Sequence, residues 1–216
     1  MKAARTVPRR GPPGDRRTLF DKIRWRRSYR WIEFSVSDYL ADAPEGIMRS
    51  LADTVYSKIR GLEESDYRQD VCDWLTSAEF RRAKQPMYIN RCRGLSLSTK
   101  GRSRDLRDSY GRLVDLGLVE HDPEVYLGWG PLSVSSRYAG ASSVLMKVVN
   151  ISQTLDSEDV PEEVLDYCVY AHLTHIGMGF GNMDQTRREC IFNDELNRFP
   201  GRAHAVYDME RLGIRI

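Results

Sequence analysis

The most informative stretch of this 216-residue chain is VPEEVLDYCVYAHLTHI, residues 160–176. Asp159 precedes it as a residue that can cap a helix, and Pro161 falls early in the first turn, where proline is tolerated. Gly177 follows, as is common just beyond the end of a helix. The stretch therefore predicts a helix from about residue 160 to residue 176, with Asp159 as its cap.

Outward from this helix, the remaining chain alternates helical and extended patterns. Residues 29–36 are rich in aromatic and β-branched residues, which predicts a strand. Apolar residues at four-residue spacing predict a helix from Asp42 to about Gly61. We further expect helices at 66–93, 104–116 and 184–198, a connector at 123–131, and strands at 132–137 and 144–152 joined by a turn at Gly140–Ser143. The pattern predicts an α+β fold with a small antiparallel sheet packed against several helices.

The composition is that of a globular protein, with 41% hydrophobic and 30% charged residues. No apolar run approaches the roughly 20 residues of a bilayer span, and no secretory signal is recognisable. A soluble, cytoplasmic protein without membrane contact is therefore expected. The four cysteines are Cys72, Cys92, Cys168 and Cys190. They lie too far apart to form the close Cys pairs of a zinc ribbon, so we expect buried or free thiols.

Positive charge is concentrated at the N-terminus. Residues 1–30 contain eleven Lys or Arg against two Asp, a net charge of about +9, whereas the whole chain carries +2. Proline and glycine among the arginines predict a disordered basic arm over residues 1–24 and a single α+β domain over residues 25–216. Such an arm favours nucleic acid as a partner, with a solubilising leader as the alternative. The candidate nucleic-acid-binding residues are Arg9, Arg10, Arg16, Arg17, Arg24, Arg26, Arg27 and Arg30.

The helix at 160–176 and the strand before it carry a family resemblance. Their order and spacing resemble the SprT-like and YgjP-like zinc metallopeptidases, whose active helix typically reads PxxVLDYVVxHELxHI. The strand at 148–152 resembles the edge strand that leads into that helix, and Phe192 matches a position on the closing helix. The likeness covers about residues 104–200 and, more faintly, 31–60. It implies a zincin-like core.

The resemblance also implies that the catalytic site is largely lost. In HExxH, two His four residues apart on one helical face bind zinc, and the Glu activates the bound water. Here the first His position is Ala171, the Glu position is His172, and only the second His survives, as His175. The family's third ligand falls on Arg188. We therefore expect a pseudoenzyme with no catalytic residue and no cofactor, acting as a binding or scaffold protein on nucleic acid or a ribonucleoprotein.

Two alternatives stay open at this point. His172 and His175 are i,i+3 neighbours and could share a zinc ion in a shifted hydrolase site, completed by Cys190, Asp184 or Glu189. If these residues bind no metal ion, we expect His175 to form a hydrogen bond within a packed core and His172 to be half exposed. The protein could also be a regulator that docks a protein partner in the former substrate cleft.

A second group of basic residues follows later in the sequence and could form another positively charged patch. Its members are Arg91, Arg93, Lys100, Arg102, Arg104 and Arg107.

Overall fold

The computed structural model describes residues 24–28, 31–60, 66–131 and 138–216, and within these ranges the chain forms seven α-helices and five β-strands. The helices are α1 (Glu45–Arg60), α2 (Gln69–Thr76), α3 (Ala78–Arg91), α4 (Leu106–Asp115), α5 (Glu162–Gly177), α6 (Gln185–Asn197) and α7 (Arg202–Leu212). The strands are β1 (Arg24–Ser28), β2 (Trp31–Ser35), β3 (Tyr126–Gly130), β4 (Gly140–Ser143) and β5 (Val148–Ser152). The chain therefore has the mixed helix and strand content that the sequence predicts.

The central sheet has three strands in the order β3-β5-β4, with β3 parallel and β4 antiparallel to β5. The prediction of a purely antiparallel sheet is thus wrong, because β3 lies in the segment expected to be a connector. Gly128 and Gly130 lower the strand propensity of that segment. A Cβ atom at Gly128 would lie 2.7 Å from the carbonyl oxygen of Ser96, and one at Gly130 would overlap the side chain of Asn150.

The turn before β5 is also displaced from its predicted position. The residues expected to form the turn are strand β4, and the chain reverses at 144–147 instead. Lys147 ends this turn in the left-handed region, at φ 47°. Its Nζ donates to Asp122 at 2.5 Å and to Glu124 at 3.3 Å, which secures the turn against the segment before β3. The predicted strand at 132–137 lies outside the described residues.

The N-terminal strand prediction is confirmed as β2, which pairs in antiparallel register with β1. One helix prediction needs correction, and one helix was missed. The segment 66–93 forms α2 and α3 rather than one helix, because the Oγ of Ser77 accepts a hydrogen bond from Phe80 N at 3.1 Å and caps α3. The chain also contains α7, which was not predicted and which begins after Gly201 in a left-handed conformation (φ 74°).

The start of α5 differs from the prediction by a few residues. Its N-cap is Pro161, in an extended conformation, and it makes no side-chain cap bond. Asp159, the predicted cap, lies in the preceding turn, where its N–H donates to Ser157 Oγ at 3.2 Å. The predicted helix itself is confirmed in position and length.

Helix α5 is the centre of the packing. Every residue from Val164 to Thr174 is buried, so the helix is enclosed on all sides rather than on one stripe. One sheet face, with Trp129 and Ile151, packs into a cluster with α4, α5, α6 and α7. The other face, with Val148, packs with α1, α2 and α3 in a second cluster. The sheet therefore separates two layers of helices.

Candidate functional site

The position of the first zinc ligand in the resembling family is part of the packed core. Ala171 lies in the middle of α5 with no exposed surface. A methyl group offers no lone pair to a metal ion, and its burial leaves no open space beside it for one.

His172 is buried under the edge of the sheet, with 5% of its surface exposed. Strand β4 passes directly over it at Gly140, where a Cβ atom would lie 3.0 Å from His172 Nε2 and overlap the carbonyl oxygen of Asn150. Glycine is therefore what allows strand and imidazole to approach so closely. The expectation of a half-exposed His172 is wrong, because β4 covers the ring.

His175 lies one turn further along α5 and is only partly buried. Its ring stacks on Phe192 of α6, with the ring centroids 4.0 Å apart and the planes inclined by 15°. The expectation that His175 lies within a packed core is therefore wrong. This stacking holds the His175 ring by aromatic packing.

Arg188, at the position of the resembling family's third ligand, contacts the segment that follows α5. Its Nη1 donates to the carbonyl oxygen of Gly179 at 3.0 Å, just beyond the last helical turn. The bond ties α6 to the connection between α5 and α6, and it satisfies a carbonyl oxygen of that connection. Arg188 thus has a structural contact where the resembling enzymes have an imidazole.

The residues considered for a shifted zinc shell are engaged on α6. Asp184 caps that helix by accepting from Arg187 N at 3.1 Å, and Glu189 accepts from Gln185 Nε2 at 2.8 Å. Among the residues that the structure describes, no group of three or more His, Cys, Asp or Glu side chains is placed to hold a metal ion. The shifted site involving His172, His175 and Cys190 stays a prediction.

All four cysteines are free thiols. Cys72 and Cys168 are buried, and Cys190 is exposed on α6. Complete burial raises the pKa of the Cys168 thiol to about 12. Since the thiolate is the reactive form, this side chain is an inert core residue.

A partly buried ion pair joins α5 to α4. Arg112 donates from Nε and from Nη2 to the carboxylate of Asp166, both at 2.8 Å, and Ser109 Oγ donates to the same carboxylate at 2.6 Å. The pairing raises the pKa of Arg112. Asp166 and Ser109 are both buried, so these three bonds satisfy a carboxylate that would otherwise be costly to bury. These bonds hold α4 against α5 and engage both oxygens of the Asp166 carboxylate.

The candidate nucleic-acid-binding residues of the arm fall in two places. Arg24, Arg26 and Arg27 lie on β1, with Arg26 opposite Glu33 and Arg27 opposite Ile32 in the hairpin register. The others lie outside the described residues: Arg9, Arg10, Arg16, Arg17 and Arg30.

The second basic patch is well defined, and we refer to residues 93–107 as the basic loop. The backbone turns tightly in this loop. Gly101 N donates to Arg104 O at 2.8 Å, and the backbones of Lys100 and Asp105 pair in an isolated antiparallel β-bridge. The carboxylate of Asp156 enters this turn and accepts three consecutive backbone N–H groups, those of Arg102, Ser103 and Arg104, at 2.5–2.9 Å. We call this arrangement the Asp156 clamp.

The sequence gives little sign of the Asp156 clamp. A glycine within a basic segment indicates a turn, and a Cβ atom at Gly101 would indeed overlap the Asp156 carboxylate. However, no local pattern links that turn to an acidic residue more than fifty positions later. The clamp depends on the tertiary fold, which brings the segment after β5 beside the segment before α4.

Comparisons with known proteins add no relative: no family profile, curated protein or solved structure matches this chain. Within the described parts of the chain, none of the helices is both long and apolar enough to cross a lipid bilayer.

Proposed function

We propose that this chain is a non-catalytic, metallopeptidase-like binding protein that contacts nucleic acid or a ribonucleoprotein through its basic N-terminal arm. The zincin-like description of its core is part of this proposal and rests on the resemblance at residues 104–200. The observation that carries the non-catalytic part is the packing of Ala171, His172 and Arg188. Each stands at a position that the resembling enzymes use for their metal centre; in this chain Ala171 and His172 are buried in the core, and Arg188 donates to the carbonyl oxygen of Gly179.

Charge supports the nucleic-acid part of the proposal. Eleven cations in the first thirty residues can neutralise several phosphates, and the release of counterions makes such binding strongly dependent on salt. Arginines that contact phosphates carry little base information, so sequence preference is expected to be weak.

Metal content tests the non-catalytic part. We expect elemental analysis of the purified chain to give well below one zinc per molecule, with no change in a His175→Ala variant. About one zinc per chain, lost in His175→Ala, would contradict the proposal and support the shifted His172/His175 hydrolase site.

Salt dependence tests the nucleic-acid part. An Arg9→Ala, Arg10→Ala, Arg16→Ala variant should reduce the slope of log K against log [salt] on a 20-bp DNA duplex by about 2 to 3, at roughly 0.9 per phosphate contact. The matched control removes three exposed arginines elsewhere, Arg82, Arg187 and Arg215. Equal slopes for the arm variant and the control would show that the arm is only a leader.

A further inference from the structure

The basic loop carries cations that have no acidic partner. Arg93, Lys100, Arg102 and Arg107 are exposed, and none of them forms a salt bridge within the described residues. By contrast, other cations of the same region are paired: Arg91 lies 2.8 Å from Asp38 and Arg104 lies 3.7 Å from Glu162. The acidic groups beside the loop accept backbone N–H groups instead, as Asp105 does from Arg107 N at 2.9 Å.

The loop is held in one conformation by contacts that spare its exposed side chains. The Asp156 clamp fixes the three N–H groups at its tip. The carbonyl oxygen of Thr99 accepts from Trp129 Nε1 at 2.7 Å and from Leu106 N at 3.0 Å, and this anchors the loop base to β3 and α4. Ser96 N donates to Trp129 O at 2.7 Å. A fixed loop has lost most of its conformational entropy before a ligand arrives.

Three of the four cations lie close together along a folded-back stretch of backbone. Gly101 N donates to Arg104 O at 2.8 Å and Leu106 N donates to Thr99 O at 3.0 Å, so a backbone β-bridge pairs Lys100 with Asp105. Arg102 lies within this turn, and Arg107 follows two residues after Asp105, in the first turn of α4. Duplex DNA carries one charge per about 3.4 Å of axis on each strand, so exposed cations in so short a stretch can contact neighbouring phosphates.

From these contacts we infer that the basic loop is a second contact surface for the phosphate backbone of nucleic acid, on the folded body and separate from the N-terminal arm. The inference rests on the nucleic-acid partner of the proposed function, and it assigns that partner a place on the structure. Because the contacts are made by exposed side chains to phosphates, they add affinity and fix orientation without reading bases.

The test compares three full-length variants that each remove three positive charges. The loop variant is Lys100→Ala, Arg102→Ala, Arg107→Ala; the arm variant and the Arg82, Arg187, Arg215 control are those described above. Fluorescence anisotropy measures Kd for 20-bp DNA and RNA duplexes of the same sequence from 50 to 300 mM salt. Circular dichroism melts check that each variant is folded.

We expect the loop variant to weaken binding about tenfold or more at 100 mM salt and to lower the salt slope by about 2 to 3, while the control changes little. Loss on the DNA duplex only, or on the RNA duplex only, identifies which backbone the loop contacts. A loop variant that binds as tightly as wild type, or no more weakly than the control, would overturn the inference. If the arm variant binds like the control while the loop variant binds more weakly, the result would contradict the proposed role of the arm and support the loop inference.

Discussion

Single residues decide how α5 is packed, and Gly140 is the clearest case. The backbone of β4 and the ring of His172 meet at this glycine, where a Cβ atom would overlap Asn150 O and lie 3.0 Å from His172 Nε2. Neither neighbour is the flexible end of a long side chain. The approach of β4 to α5 therefore depends on the absence of a side chain at one position.

Gly140→Ala should lower the free energy of unfolding by roughly 1–3 kcal/mol, because the strand or the imidazole must shift to admit the methyl group. Urea denaturation measures the change. Gly111→Ala is the matched control: Gly111 lies within α4 with nothing near its Cβ position, so alanine there should stabilise by about 0.5–1 kcal/mol. A Gly140→Ala protein as stable as wild type would show that β4 does not press on His172.

Ala171→His tests whether this position of the core can accept a zinc ligand. Since Ala171 has no exposed surface, an imidazole there overpacks the core and should destabilise the protein by about 1–3 kcal/mol without giving stoichiometric zinc. Ala203→His, at an exposed position of α7, should change stability by less than about 0.5 kcal/mol. Calorimetric melting and elemental analysis read out both variants. Zinc uptake by Ala171→His would mean that the core has room for a bound metal ion at this position.

At the scale of elements, the contact between α4 and α5 depends on the Arg112–Asp166 pair. Arg112→Ala removes two charge-assisted hydrogen bonds and leaves a mostly buried carboxylate with only Ser109, so we expect a loss of about 2–3 kcal/mol in urea denaturation. The control is Arg198→Ala, whose pair with Glu195 is exposed and should contribute less than about 1 kcal/mol. Similar losses in the two variants would argue against a special role for Asp166.

The elements that sequence predicts best are those with strong local signals. Apolar spacing locates α1, and flanking glycine and proline locate α5. Strand β3 escapes prediction because its glycines are required by neighbours distant in sequence, Ser96 and Asn150. The break between α2 and α3 depends on one serine whose capping role is not distinguishable from that of any exposed serine.

For the candidate site too, local sequence signals predict some features and the tertiary fold determines the others. The motif spacing identifies Ala171, His172 and Arg188 as positions worth testing, and it says nothing of their surroundings. The burial of His172 depends on the path of β4, and the contact of Arg188 depends on where the chain turns after α5. Both are properties of the assembled fold, so the sequence alone could not supply them.

Several aspartates of the folded molecule form hydrogen bonds with residues that are distant in the sequence. Hydrogen bonds lower the pKa of Asp38 through Arg91, of Asp42 through Lys84, and of Asp70 through Ser50. Burial raises the pKa of Asp122. The hydrogen bonds from Lys147 and from Glu124 N, together with nearby positive charge, lower that pKa by more, so the net shift is downward. Each of these carboxylates is thus a weaker base in the folded chain than in the unfolded chain.

Acid should therefore destabilise the protein. A carboxyl group with a lowered folded pKa contributes stability above its unfolded value of 3.8, and the contribution is lost as the pH falls through the folded pKa. Urea denaturation from pH 6 to pH 2.5 should show stability falling below about pH 4. The deficit of Asp42→Asn relative to wild type should shrink across that range, because the variant lacks the carboxylate whose pKa the Lys84 hydrogen bond lowers. A constant deficit for Asp42→Asn would contradict the assignment.

The enclosure of α5 on every side has a consequence for the order in which the protein opens. Amide hydrogens of this helix reach solvent only when the sheet and the helices around it separate, so their exchange with deuterium should report global unfolding. We expect amides from Cys168 to Thr174 to be the last to exchange, and their rates to follow the denaturant dependence of complete unfolding. Amides in the exposed first turn of α6 should exchange through local fraying, independently of denaturant. Rapid exchange within α5 would mean that the centre of the molecule opens without the rest.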